Sequence, residues 1–270
     1  DSVASRGLGD VYKRQALCFA PVTHAKNSPP SQPESAILSH SDLSPQLGNR
    51  SATPGDDPTN PNDPIPSHFP SVNKYIIDHH LPHSKVVKDP RMDSLPKLAY
   101  KHGTYMGVVI HEVGVDHQSL QQWVDNMYKT YTTAFVHAFV DNNEIHITAP
   151  SEYYVWGCGA KANPYFYQIE VVRMYTFEDF AKSVNNQAWL AAYMLKQNGI
   201  PPILADDNEG KGSVISHNGV SRYWGGTDHV DPIAYYARWG YDMHQMLELI
   251  KYHYNLSLIH ISEPTRRYAI

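Results

Sequence analysis

Cysteine is nearly missing from this chain. Cys18 and Cys158 are the two present in 270 residues. With Cys18 in a stretch that reads as a cleaved leader, Cys158 stands alone and no intramolecular disulfide can form. Long apolar runs are missing too: no stretch of 18 apolar residues occurs, which excludes a complete membrane-spanning helix at this level. Excess positive charge is also absent. Lys and Arg number 22 against 27 Asp and Glu, a net charge of −5, so there is no basic footprint for nucleic acid. Nor is there a His-Glu-x-x-His helix, which disfavours a zinc peptidase of that design. The 41% hydrophobic content is enough to bury one full core, and the ordered portion reads as a single domain of about 190 residues.

Proline, by contrast, is unevenly spread: 11 of the 20 fall before Ser71. From Lys26 to Pro70 the chain is rich in Pro, Ser, Asn and Asp, too polar to offset its ordering entropy, and is expected to be a disordered linker or spacer. Residues 1–15 and 257–270, around Leu8–Gln15 and Leu258–Arg267, resemble translated sequencing adapter and are set aside from fold reasoning. Residues 16–25 read as the remnant of a signal peptide with a cut after Ala25, which fits a secreted protein. That leaves 71–256 as the expected domain. His79-His80-Leu81-Pro82-His83, metal-like in composition, is expected to be a solvated arm at its edge.

The densest chemistry lies between Ser216 and Pro232. His217 and Asp231 stand fourteen residues apart, and His229 lies two before the aspartate. Gly225-Gly226 signals a turn, and Asp231-Pro232 predicts a helix entry with Asp capping and Pro at the first helical position. The loop is therefore expected to fold back so that His217 and Asp231 face one point. A histidine and a carboxylate converging in this way suit catalytic zinc, which takes three protein ligands and keeps one position open. His111, at the tip of the apolar, β-branched run Gly107–Ile110, is the candidate for the third. Strand ends are where open α/β sheets place their sites. Sixteen histidines make chance pairings easy, so composition alone does not settle the set.

The remaining pattern alternates strands and helices. Ser119 caps a helix to about Tyr131, with Leu120, Trp123, Val124 and Met127 on one face. Strands are expected at 135–140 and 144–148, joined by Asp141-Asn142-Asn143, and at 165–172 and 213–216. Thr176 with Asp179 opens a helix to about Asn198, closed by Gly199, and a last helix runs from about Asp242 to Tyr254. The expected fold class is α/β, a central mixed sheet with helices on both faces.

From about Tyr75 to Tyr254 the sequence resembles the zinc-dependent N-acetylmuramoyl-L-alanine amidases of the type 2 family, in particular the amidase domain of staphylococcal bifunctional autolysins. That family is related to T7 lysozyme and the peptidoglycan recognition proteins. The resemblance is carried by Val109–Glu112, Ala134–Asp141, Trp156–Ala160, Ile169–Val172, Asn185-Asn186 with Ala191-Ala192, and Gly225–Pro232. It implies the family fold and one catalytic zinc ion held by His111, His217 and Asp231. Glu170 and His229 are then the two catalytic residues beyond the metal, and the reaction is cleavage of the amide between N-acetylmuramic acid and L-alanine of the stem peptide. The implied partner is peptidoglycan, met outside the cell by a monomer. The alternative it leaves is a catalytically silent, wall-binding module of the same fold. By residue chemistry, Glu170 on an apolar strand would have a raised pKa suited to a proton shuttle, or else pair with Arg173. His137 either touches substrate or packs in its strand. Cys158 reads as a small buried hydrophobe, with a fourth, inhibitory zinc ligand as the alternative.

Overall fold

A computed structural model describes residues 70–262, the side chains of 257–262 excepted. The expected leader, the linker up to residue 69 and the last eight residues lie outside the described residues.

Ser71 caps α1 (Val72–Asp78), whose Val72 and Ile76 turn inward. The histidine arm follows; His79, His80 and His83 are exposed as expected. Lys85–Lys88 forms β1, the edge strand, paired parallel to a strand 59 residues on. The Lys-Val-Val-Lys run is too short and too polar to show as a strand in the sequence. A two-residue β2 (Leu98–Ala99) leads to β3 (Gly107–Glu112), buried throughout. Gly107 is required there: a Cβ would sit 2.5 Å from the Ser213 carbonyl oxygen. Ser119 then opens α2 (Leu120–Thr130) with a reciprocal cap to Gln122, and the four predicted residues face inward.

The predicted hairpin forms between β4 (Ala138–Val140) and β5 (Glu144–Ile147), with Asp141 Oδ1 accepting from the amides of Asn143 and Glu144. β4 starts three residues later than predicted, because the chain at Ala134 is still closing the end of α2 through the Thr130 carbonyl. β6 (Tyr153–Tyr154) pairs with β2 alone. β7 (Phe166–Val171) is wholly buried. Thr176 caps α3 (Phe177–Gln197), which ends at Asn198 before Gly199 at φ 63°. β8 (Val214–Ser216) is followed by α4 (Ile233–Arg238) and α5 (Met243–Ser262). α5 outruns the predicted end at Tyr254, since no Gly or Pro interrupts the chain before Pro264.

The six-stranded sheet has the order β1-β5-β4-β7-β3-β8 and is mixed: all pairs are parallel except β4 with β5. Helices α1, α3, α4 and α5 cover one face around Ile110, Ile169 and Phe180. α2 covers part of the other with Phe135, Phe139 and Val172. Among the described residues no helix is long and apolar enough to cross a membrane.

Candidate metal centre

Strand parity decides which side chains meet. In β3, Val108 and Ile110 join the helix-covered core, which sends Val109 and His111 to the other face. In β7, Tyr167, Ile169 and Val171 face the helices, so Gln168 and Glu170 face the same way as His111. The register then sets His111 beside Glu170, at the C-terminal ends of two parallel strands. Such ends are the usual site in open sheets.

β8 brings the next donor. After Ser216 the chain turns at once into a helical turn, His217–Gly219, and a wide turn, Val220–Trp224. The Ser216 hydroxyl accepts from the Gly219 amide and donates to Asp206, which fixes the direction of that turn. The loop returns through Gly225 and Gly226, both at positive φ, where side chains are strained. It passes so close to the loop carrying Cys158 that a Cβ on Gly159 would meet the Gly226 carbonyl oxygen at 2.8 Å. Asn218 N–H donates to the Asp231 carbonyl, closing the loop.

The outcome is a compact set. Asp231 Oδ1 lies 3.0 Å from His217 Nδ1 and 3.6 Å from His229 Nδ1. Its Oδ2 lies 3.3 Å from His111 Nδ1 and accepts from the Glu112 amide at 3.2 Å. Glu170 Oε1 stands 4.0 Å from His111 Nδ1. The structure brings all five sequence-predicted residues together. One reason was wrong: Asp231 does not cap α4, whose start has no side-chain cap, because its carboxylate is turned to the histidines instead.

Unsatisfied polar atoms gather in this cluster. Both ring nitrogens of His111, Nδ1 of His217 and Oε2 of Glu170 are buried and have no hydrogen-bond partner among the described residues. Native interiors satisfy such groups in the great majority of cases. His217 Nε2 is the exception that orients the ring, 2.9 Å from Thr227 Oγ1, leaving Nδ1 aimed at the cluster. One donor atom each from His111, His217 and Asp231 lie within 4.8 Å of one another. The 3.0 and 3.3 Å separations are close to the ~3.4 Å expected between neighbouring donors about 2.1 Å from a tetrahedral ion. Two imidazoles and a carboxylate are also a donor chemistry that suits zinc. The residues present fit the metal.

The local electrostatics separate two carboxylates. Burial pushes the Glu170 carboxyl well above its ordinary range, and the nearby negative charges of Asp231 and Glu112 add to the effect. Burial opposes ionisation of Asp231 too, yet His217, His111 and His229 outweigh it and hold that carboxyl well below the usual range. Burial pushes His217 down to about 4, so its ring is neutral and free to ligate near neutral pH. One carboxylate is thus fixed as an anion while its neighbour can hold a proton, the arrangement that divides acid–base roles.

Three expectations resolve differently. Glu170 does not pair with Arg173, whose guanidinium goes to Glu112 and Asp116. His137 does not face the cluster; it is packed against Tyr167 and hydrogen bonded on both nitrogens. Cys158 is fully buried, with its thiol 3.3 Å from Asn163 Oδ1, and is not among the grouped donors. Sequence reading missed Thr227 and also Gln187, whose Nε2 donates to the carbonyls of His111 and Ile169 and so ties the two strand ends together. Neither contact has a sequence signal, since 10 and 76 positions separate the partners.

Residues 102–234 match the family model described as N-acetylmuramoyl-L-alanine amidase. Protein Ami of Listeria monocytogenes is 41% identical over 188 residues, 69% of this chain and 20% of that protein. A bifunctional autolysin of Staphylococcus aureus is 36% identical over 214 residues, 77% of this chain and 17% of its own length. The chain thus spans about a fifth of the curated relatives it matches. The crystal structure of the S. aureus hydrolase AmiA in complex with its ligand superposes with a TM-score of 0.68 at 37% identity, covering 73% of this chain and 96% of that one. With its ligand-like cluster at the strand ends and near full-length agreement with a solved relative, this chain belongs to the N-acetylmuramoyl-L-alanine amidase family.

Proposed function

We propose that the chain is a zinc-dependent peptidoglycan amidase that cuts the bond between the lactyl group of N-acetylmuramic acid and L-alanine, and that residues 71–256 carry the activity. The observation behind this reading is the group formed by Asp231 with buried, unpaired ring nitrogens of His111 and His217, set beside a carboxyl of raised basicity at Glu170. In this reading His111, His217 and Asp231 hold the ion. Bound there, zinc lowers the pKa of water to about 7 and polarises a carbonyl.

The chain's own groups do the rest. Glu170 accepts a proton as the water oxygen bonds to the amide carbon, then delivers it to the alanine nitrogen as the C–N bond breaks. No proton is left over: one O–H and one C–N bond are exchanged for one C–O and one N–H bond. His229, partly exposed next to Asp231, donates to the carbonyl oxygen as negative charge builds on it, worth roughly 3–4 kcal/mol for a well-placed donor. Gln187 and the Glu112–Arg173 pair keep the strand ends in register. The autolysin name of one relative and the Pro-rich stretch before residue 71 support a place outside the membrane, at the cell wall.

The test is release of free alanine amines from purified peptidoglycan, with chelator and then zinc add-back. Release that stops with chelator and returns with zinc is expected. No release from a folded chain holding stoichiometric zinc would sink the reading.

A further inference from the structure

α3 is buried along most of its length, yet near its C-terminal end it turns aromatic side chains outward. Tyr193 is 47% exposed and Trp189 is half-buried. They form a row: the His83 ring stacks on Trp189 at 3.8 Å, and Trp189 on Tyr193 at 5.4 Å, with interplanar angles of 20° and 16°. A hollow lies on each side of the row. One, of about 960 Å³, runs between α3, the β1 edge and the loop before β6; the other, of about 580 Å³, lies toward α5. Both are lined by Trp189 and Tyr193. Val86, 45% exposed on the edge strand, forms the opposite wall of the larger hollow.

This surface is separate from the metal centre. Tyr167 lines the larger hollow and belongs to the helix-covered face of β7, whereas Glu170 points to the other face. Concave surfaces of this volume, lined by apolar and polar side chains together, are where small ligands bind. Its chemistry narrows the ligand. Lys88 and Lys97 face Asp93 and Glu152 around the rim, so the two signs balance and no ionic ligand is favoured. Gln197 and Asn198 add planar amides that can both donate and accept. Flat aromatic faces, balanced rim charge and two-way hydrogen bonding suit a neutral, polyhydroxylated ring with an apolar face.

We infer that this double hollow, centred on Trp189 and Tyr193, is a second saccharide-binding site, for a chain of N-acetylated amino sugars. The choice of sugar rests on the amidase reading; the surface itself does not. An enzyme working on an insoluble polymer gains residence from a foothold outside its catalytic cleft, through effective concentration. The acetamido methyl groups of such a glycan would lie on Val86 and Ile147, which line the same wall.

The experiment uses the full chain carrying Glu170→Gln, titrated with the β-linked tetramer of N-acetylglucosamine and followed by calorimetry and tryptophan emission. Saturable binding is expected, with an emission change that Trp189→Phe abolishes and an affinity that Tyr193→Ala lowers about tenfold. In the otherwise unaltered chain, Tyr193→Ala should leave zinc content and cleavage of a soluble muramyl peptide unchanged while slowing release from insoluble wall. Absence of binding, or binding indifferent to both substitutions, overturns the inference. Should the unaltered chain bind the tetramer through Tyr193 but cut no soluble muramyl peptide, the amidase reading falls and this site stands.

Discussion

Two buried histidines, 26 positions apart, have opposite fates. His137 is wholly enclosed, and both its ring nitrogens are used: Nδ1 accepts from the Gln168 amide at 3.0 Å, while Nε2 meets the Tyr153 carbonyl and the Tyr100 hydroxyl. His111 is equally enclosed, and neither nitrogen is hydrogen bonded. Burying a polar group without a partner costs free energy, so the first region is ordinary core and the second is a place kept ready for something else. A third histidine, His146, sharpens the contrast: it sits between Glu144 and Asp89, a partner on each side. Burial alone, therefore, does not mark a functional histidine. Unused donor capacity does.

The contrast can be broken from either side, and the largest effects belong to the unsatisfied region. His217→Ala should empty the site, with zinc content and amine release falling to background together. Glu170→Gln should keep both zinc and fold while lowering kcat by about 10²–10⁴-fold; a zinc-loaded variant of near-normal turnover would strip Glu170 of its role. Next comes stability in metal-free protein, read by urea unfolding. His137→Ala strands the Gln168 amide and the Tyr100 hydroxyl and should cost about 3 kcal/mol. His111→Ala, having no hydrogen bond to lose, should cost clearly less. Thr227→Val removes the partner of His217 Nε2 and should weaken zinc binding by about 10–100-fold with little change in unfolding.

The comparison can also be read through a pH slope. Burial pushes His137 down to about 3 from 6.5, so below pH 6.5 the unfolded chain takes up a proton that the folded chain refuses. Its contribution is complete above 6.5 and fades as pH falls toward 3, by about 1.4 kcal/mol for each unit. A His137→Gln variant should show a shallower acid limb in the same urea titrations.

Much of this was readable from residue order because it depends on short-range pattern. Gly107–His111 shows a buried strand with a polar tip, and the run from Gly225 to Pro232 shows a chain that turns back. Helix caps at Ser119 and Thr176 fell where hydroxyl chemistry predicts. What escaped was contact across distance. β1 has meaning only when paired with β5, and Gln187 only when α3 lies under both strand ends. Asp231 converges on the histidines as expected but does not cap the helix: capping competes with three histidines for one carboxylate, and sequence cannot say which wins. The choice between packing and substrate contact for His137 likewise needed Tyr100, 37 positions away.

Asp231 also meets the Glu112 amide across 119 positions of sequence. Closing a loop of that length costs chain entropy on the order of 4 kcal/mol. An ion held at a thousand times its dissociation constant returns about 4.1 kcal/mol to the folded state. Zinc in this site would then act as a clasp as well as a reagent, joining the third strand to the loop that follows the eighth. Starving the protein of metal should loosen the 217–231 segment to proteases while the sheet beneath it holds.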